Sequence, residues 1–158
     1  ANANLSPATV NLALSTTAPT AQVHQYMYPD ADISDGSWTD QDGGSSLFAA
    51  VDEDPKNSAD YIKSSSSPSA DICRLRISNP GAQPAQPFDV QYAYQKQGAA
   101  QIIDLSVRLF QGATEIAEWV HTDISESELT ATQQLTSGQF AAITDFNDLE
   151  IEFEAEAA

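Results

Sequence analysis

Strict alternation of apolar and polar side chains is the feature that most constrains this chain, and it dominates the sequence from residue 71 onward. Val90, Tyr92 and Tyr94, for example, alternate with Gln91 and Ala93. A period of two places successive side chains on opposite faces of a β-strand, so the pattern predicts half-buried strands. The segments that carry it are 72–78, 88–95, 103–109 and 149–154.

Turn signals separate further short strands, predicted at 33–39, 47–51, 60–64, 115–121 and 128–135. Gly112 marks a tight hairpin between two of the strands. Helices do not alternate with strands, which excludes a parallel nucleotide-binding sheet. Roughly eight to ten short strands therefore predict an all-β fold, an antiparallel two-sheet β-sandwich of the jelly-roll type.

One short helix is predicted near the C-terminus. Thr136 and Gln139 have the spacing of a capping box, in which each side chain bonds the other residue's backbone N–H. Phe140, Ala141 and Ile143 follow with helical spacing. The last strand follows this helix and has glutamates at every second position, Glu150, Glu152 and Glu154. These like charges predict an exposed strand that resists edge-to-edge pairing.

Residues 1–23 differ from the domain predicted at 24–158, because they contain no charged side chain and are rich in Ala, Thr, Asn and Pro. Their apolar residues alternate between Pro7 and Pro19, which predicts an extended stretch that is too small to fold alone. This segment is either the first edge strand of the domain or an arm that adds a strand to a neighbouring subunit. The candidate partner-binding residues of such an arm are Leu5, Val10, Leu12, Leu14 and Val23.

The charge of the chain is strongly negative: 23 acidic against 6 basic residues give a net charge of −17. Such a surface repels phosphate backbones and anionic membranes, so neither nucleic acid nor membrane is an expected partner. No apolar run reaches membrane-spanning length and no export signal is present, so we expect the protein to remain in the cytoplasm until it assembles. Cys73 alone cannot form an internal disulfide, and its place in an apolar alternation predicts a small buried residue.

Catalytic and metal-binding patterns are missing from the sequence. His24 and His121 are far apart, and no nucleophile elbow, phosphate-binding glycine loop or Cys–His pattern occurs. Asp30, Asp32 and Asp35 partly resemble a calcium loop, but the spacing is wrong, and Asp is common in turns because it caps their backbone. We therefore predict a protein that is not an enzyme and that needs no cofactor or metal.

Aromatic residues offer one further kind of site. They could form a stacking platform for a glycan, although aromatic side chains in a sandwich more often fill the core. The residues concerned are Tyr26, Tyr28, Trp38, Tyr61 and Trp119.

Several of these segments together resemble β-sandwich modules of virion structural proteins from tailed phages and prophages. The resemblance spans nearly the whole chain and is carried by LSPATVNLALSTTAPTAQV (5–23), GSW (36–38), DYI (60–62), LSVRL (105–109), EIA (115–117) and ITDFNDLEIEF (143–153).

This resemblance implies a capsid decoration (cement) protein that binds and stabilises the head shell. A tail, fibre or baseplate component, or a carbohydrate-binding adhesion module, is the alternative, but one short module with an arm fits decoration better. The implied partners are the major capsid protein or other virion proteins and further copies of the chain, with a trimer by analogy. The implied location is the capsid surface, reached from the host cytoplasm during assembly.

Overall fold

The computed structural model describes residues 25–53 and 56–158. Within these ranges the chain is all-β and antiparallel, as predicted, with one short α-helix and one 3-10 turn. Neither of these helical segments has the length and hydropathy of a membrane-spanning helix. The strands are β1 (Pro29–Ser34), β2 (Thr39–Asp40), β3 (Ile62–Lys63), β4 (Asp71–Ile77), β5 (Asp89–Tyr94), β6 (Ile103–Gln111), β7 (Thr114–His121), β8 (Leu129–Gln134) and β9 (Leu149–Ala157). The helix α1 spans Ser137–Ala142 and the 3-10 turn spans Phe48–Ala50.

One layer of the sandwich is a five-stranded sheet in the order β1-β4-β9-β6-β7. The last strand of the chain, β9, lies at its centre and pairs with β4 on one side and β6 on the other. The prediction that the glutamate row lies on an exposed edge strand is therefore wrong. Alternation shows which face of a strand meets solvent, but it contains no information on which strands lie beside it.

The opposing layer consists of two separate pairs, β2 with β3 and β5 with β8. Both pairs pack on the same face of the main sheet, where Ile62 of β3 and Val90 of β5 contact one core cluster. That cluster contains Trp38, Leu47, Cys73, Leu75, Leu105, Val107, Ile124, Ile151 and Ala155. A second cluster, at the α1 end, contains Leu109, Ile116, Ala117, Leu135, Ile143, Phe146 and Leu149.

The regular second half of the chain follows the sequence prediction closely. Strands β4 to β9 begin and end within a few residues of the predicted bounds, and the hairpin at Gly112 is present, with Gln111 opposite Thr114. The capping box is also confirmed, because the Thr136 hydroxyl accepts from the Gln139 backbone N–H at 3.2 Å and the Gln139 side-chain Oε1 accepts from the Thr136 backbone N–H at 2.9 Å.

Two predictions for the first half are wrong. The strand predicted at 33–39 is interrupted, because the chain turns at Gly36 between β1 and β2. The strand predicted at 47–51 is instead a 3-10 turn, since the Asp32 carboxylate accepts from the backbone N–H groups of Leu47 and Phe48 at 3.1 and 2.7 Å. A carboxylate that caps the turn from a distant strand cannot be inferred from local propensity.

Candidate binding groove

A large groove lies over the inner face of the main sheet, where the opposing layer is divided. We call it the interlayer groove; residues of β3 and the preceding Tyr61 line one side and the whole of β5 lines the other. Its volume is about 1860 Å³, well above the ~300–1,000 Å³ usual for small-ligand pockets. Its floor is apolar: Ile77 and Phe153 are partly exposed there, and beneath them lie the buried core residues Leu105, Leu109, Leu149, Ile151 and Ala155.

Strand β5 turns a backbone edge toward this groove. The Phe88 carbonyl accepts from the Leu135 N–H at 3.1 Å, so the backbone of residue 88 points toward β8. In an antiparallel ladder alternate residues point to opposite sides, so residues 90, 92 and 94 also face β8. The N–H and C=O groups of Asp89, Gln91 and Ala93 therefore point away from β8. No strand in the described part of the chain pairs with them.

The opposite side of the groove is also a strand edge. Strand β3 pairs with β2 through Ile62 and Lys63, and no other strand of residues 25–53 or 56–158 pairs with it. Two strand edges thus flank one apolar floor. This arrangement is complementary to an extended polypeptide, which offers backbone groups at its sides and alternate side chains below.

The first described residues form part of the groove wall, since residues 25–29 all line it. Tyr28 is fixed to the main sheet, because its N–H donates to the Ser78 hydroxyl at 3.1 Å and its carbonyl accepts from the Ser78 N–H at 2.7 Å. The Tyr26 ring stacks on that of Tyr28 with centroids 6.2 Å apart and remains 66% exposed. The chain therefore joins the N-terminal segment at the groove itself.

A histidine holds β5 against the main sheet. The hydroxyl of Tyr92 lies 2.7 Å from His121 Nε2, and that of Tyr94 lies 3.0 Å from His121 Nδ1. Burial lowers the pKa of His121, and burial raises the pKa of Tyr92 to about 12. A neutral imidazole can donate through one nitrogen and accept through the other, and both tyrosine hydroxyls can fill the complementary role. This contact fixes one wall of the groove.

Lysines are concentrated around the groove, where Lys56, Lys63 and Lys96 line it. Lys56 forms an ion pair with Glu128. The Lys96 ammonium lies 2.6 Å from the Asp123 carboxylate, and the Lys63 ammonium donates to the Gln41 carbonyl at 2.9 Å. Two of the three ammonium groups are thus paired with carboxylates, and only Lys63, bound to a neutral carbonyl, keeps an unpaired charge beside the groove.

The opposite, outer face of the main sheet has an ordered row of charges. Glu152 lies between Arg74 and Arg108, its register partners on β4 and β6, at 2.6 and 2.9 Å. Arg108 also reaches Glu118 of β7 at 2.8 Å, so the row crosses four strands. The same Arg74 guanidinium lies 3.9 Å above the Phe110 ring. These contacts connect the strands to one another, and none of them faces the groove.

Two of the three acidic residues that resemble a calcium loop have structural partners. Asp30 and Asp32 lie in β1, Asp30 pairs with Arg76 at 2.7 Å, and Asp32 caps the 3-10 turn. Over residues 25–53 and 56–158, no group of three or more histidine, cysteine or acidic side chains has the arrangement of a metal site.

Cys73 and the tryptophans lie in the core. Cys73 is fully buried, and this burial raises the pKa of its thiol to about 12. Trp38 is 8% exposed and donates from Nε1 to the Asp71 carbonyl at 2.9 Å. Trp119 is half-buried and packs against both core clusters. Of the aromatic residues proposed for a glycan platform, only Tyr26 and Tyr61 are substantially exposed.

The predicted arm residues Leu5, Val10, Leu12, Leu14 and Val23 lie outside the described residues, as does His24. The interlayer groove itself was missed by sequence reasoning. It lies between two strands that do not pair, β3 and β5, and this arrangement leaves no local pattern in the sequence. No family model matches the chain, and no curated protein or solved structure matches it.

Proposed function

We propose that this chain is a structural protein of a tailed-phage virion, a capsid decoration protein that assembles by accepting an extended polypeptide in the interlayer groove. The observation that supports this most directly is the pair of strand edges, β3 and β5, on either side of an apolar floor. The virion setting rests on the resemblance of segments such as 143–153 to phage modules.

Strand addition supplies both affinity and specificity. Backbone groups of Gln91 and Ala93 provide hydrogen bonds that any extended segment can use, and the floor selects apolar side chains at every second position. Covering apolar surface contributes on the order of 25 cal/mol per Å² removed from water. The groove therefore suits a protein segment far better than a polar metabolite.

A decoration role matches the charge distribution of the molecule. The net charge of −17 keeps the surface well hydrated, whereas the groove floor is apolar. Moderate contacts repeated over a shell stabilise it through multivalency, because each further contact forms at high effective concentration. We expect the groove to face the shell lattice and the glutamate face to point to solvent.

Two experiments test this proposal: counting the copies of the protein in each virion, and removing one backbone hydrogen-bond donor of β5. Purified virions should contain the protein in a copy number comparable to that of the major capsid protein. Ala93→Pro removes an N–H that faces the groove and leaves the β5–β8 ladder intact, so it should reduce head-shell binding about tenfold or more.

The matched control is Ala93→Thr, which keeps the N–H and suits a strand, and it should bind like the unmodified protein. A handful of copies located at the tail would overturn decoration and support the tail or fibre alternative. Undiminished binding by a folded Ala93→Pro variant would overturn strand addition.

A carbohydrate-binding adhesion role is the second candidate, and it is supported by the exposed rings of Tyr26 and Tyr61 on the groove wall. A glycan array would separate the two roles. Glycan binding that disappears in Tyr61→Ala, without head-shell binding, would favour adhesion.

A further inference from the structure

We infer that the interlayer groove is filled by residues 8–15 of a second copy of this chain. The inference rests on the proposed function, and it names the donor of the extended segment. The completed layer would have the order β2-β3-donor-β5-β8, which converts two separate pairs into one five-stranded sheet.

The side chains of residues 8–15 match the groove floor. Val10, Leu12 and Leu14 occupy every second position, so an extended chain places all three on one face over about 13 Å. Strand β5 has six residues and is about 20 Å long, so it can pair along the whole of this stretch. Asn11 and Ala13 would lie on the solvent side.

The charge of the segment also fits. Residues 1–23 contain no charged side chain in a protein whose net charge is −17, so insertion buries no unpaired ion. Pro7 and Pro19, which lack a backbone N–H, lie outside the stretch that pairs. Every residue from Ala8 to Ser15 has a backbone N–H; those that face β5 can pair along its length, and β3, with two residues, pairs with a shorter part of the segment.

The position of residues 25–29 favours a second copy over the same chain as the donor. These residues already lie on the groove wall, so only residues 16–24 are available to lead the segment 8–15 of the same chain back into the groove. That connection contains no Gly, Asn or Asp, the residues that tight reversals with positive φ favour, whereas a segment from a second copy needs no such connection. Exchange of an identical element between copies is a low-cost route to an oligomer.

Mixed cysteine cross-linking tests the donor directly. One chain has Asn11→Cys and the other has Gln91→Cys or Ala93→Cys, since the solvent-side residues of neighbouring strands have Cβ atoms within reach of a disulfide. Oxidation of the mixture should give a disulfide-linked dimer band for at least one pair. Glu118→Cys, exposed on the outer face of the other layer, is the control and should give none. Cys73 stays buried and should not react.

Light scattering gives the second measurement. The full chain should be oligomeric, and Leu12→Asp should shift it to the monomer mass because a charge would enter the apolar floor. Asn11→Asp places the same charge on the solvent side and should remain oligomeric.

A monomeric full chain, or a chain with both Asn11→Cys and Ala93→Cys that oxidises only within itself, would overturn the inference. The proposed function would survive that result if the monomer still bound head shells. Conversely, an oligomer with the expected cross-link but no virion association would leave the inference intact and overturn the proposed function.

Discussion

At the scale of single residues, Gly36 shows how closely the turn after β1 approaches the backbone of β4. Its φ of +56° lies in the left-handed region, and an added Cβ would lie 1.9 Å from the Ile72 carbonyl oxygen of β4. Gly43 has a comparable φ of +86°, but open space surrounds the position of its missing side chain. The two glycines thus share a backbone requirement and differ only in the room available.

We expect Gly36→Ala to lower the free energy of unfolding by about 3 kcal/mol and Gly43→Ala by about 1 kcal/mol. Both substitutions incur the left-handed cost of ~1–2 kcal/mol, and only the first adds a backbone clash that must be relieved by movement of β4. Urea unfolding of both variants measures the difference. Equal losses would show that the turn can move away from β4 at little cost.

At the scale of elements, Glu152 connects the centre of the main sheet. Its side chain is 8% exposed and bridges Arg74 and Arg108, whereas Glu118 at the end of the same row is 39% exposed. Removal of the shared carboxylate leaves two partly buried guanidinium groups without their central partner. Breaking a buried pair in this way is far more costly than losing an exposed one.

Glu152→Ala should therefore lower the free energy of unfolding by about 3 kcal/mol, and Glu118→Ala by less than about 1 kcal/mol. Denaturant titration of the two variants tests this. A double variant that also carries Arg108→Met should be less stable than Glu152→Ala alone, because Arg108 also pairs with Glu118 and Glu154 and its removal leaves both carboxylates without a cation. If Glu152→Ala and Glu118→Ala unfold at the same midpoint, the row has no special role at its centre.

Among the structural elements, some could be predicted from the sequence and others could not. Strands such as β5 and β6 were predictable because one buried face imposes a period of two, and α1 was predictable because Thr136 and Gln139 are close in sequence. The central position of β9 and the 3-10 turn capped by Asp32 depend on partners far along the chain. The groove was the least predictable feature, since it depends on how far apart β3 and β5 lie where they pack over the main sheet. The apolar alternation of Val10, Leu12 and Leu14 is visible in the sequence, but the groove that we propose for this segment is not.

At the scale of the whole molecule, the two layers meet through a contact that can titrate. His121 on β7, an edge of the main sheet, holds Tyr92 and Tyr94 of β5, so its neutral form helps to position one wall of the interlayer groove. Burial lowers the pKa of His121 below its ordinary 6.5, so the folded protein binds this proton less readily than the unfolded chain does. The contribution to stability is therefore complete above about pH 6.5 and decreases as the pH falls below it.

We expect the unmodified protein to lose more stability between pH 7.5 and pH 5.5 than His121→Gln, which retains hydrogen-bonding groups but cannot titrate. One extra proton taken up by the unfolded chain changes the free energy of unfolding by at most about 1.4 kcal/mol per pH unit. Urea midpoints for both proteins at the two pH values give the comparison, and the many carboxylates cancel because both proteins share them. Parallel pH dependence in the two proteins would mean that His121 titrates alike in the folded and unfolded states. A steeper loss in the unmodified protein would instead show that the groove wall is held by a neutral imidazole, and mild acid would then weaken both the wall and any strand bound against it.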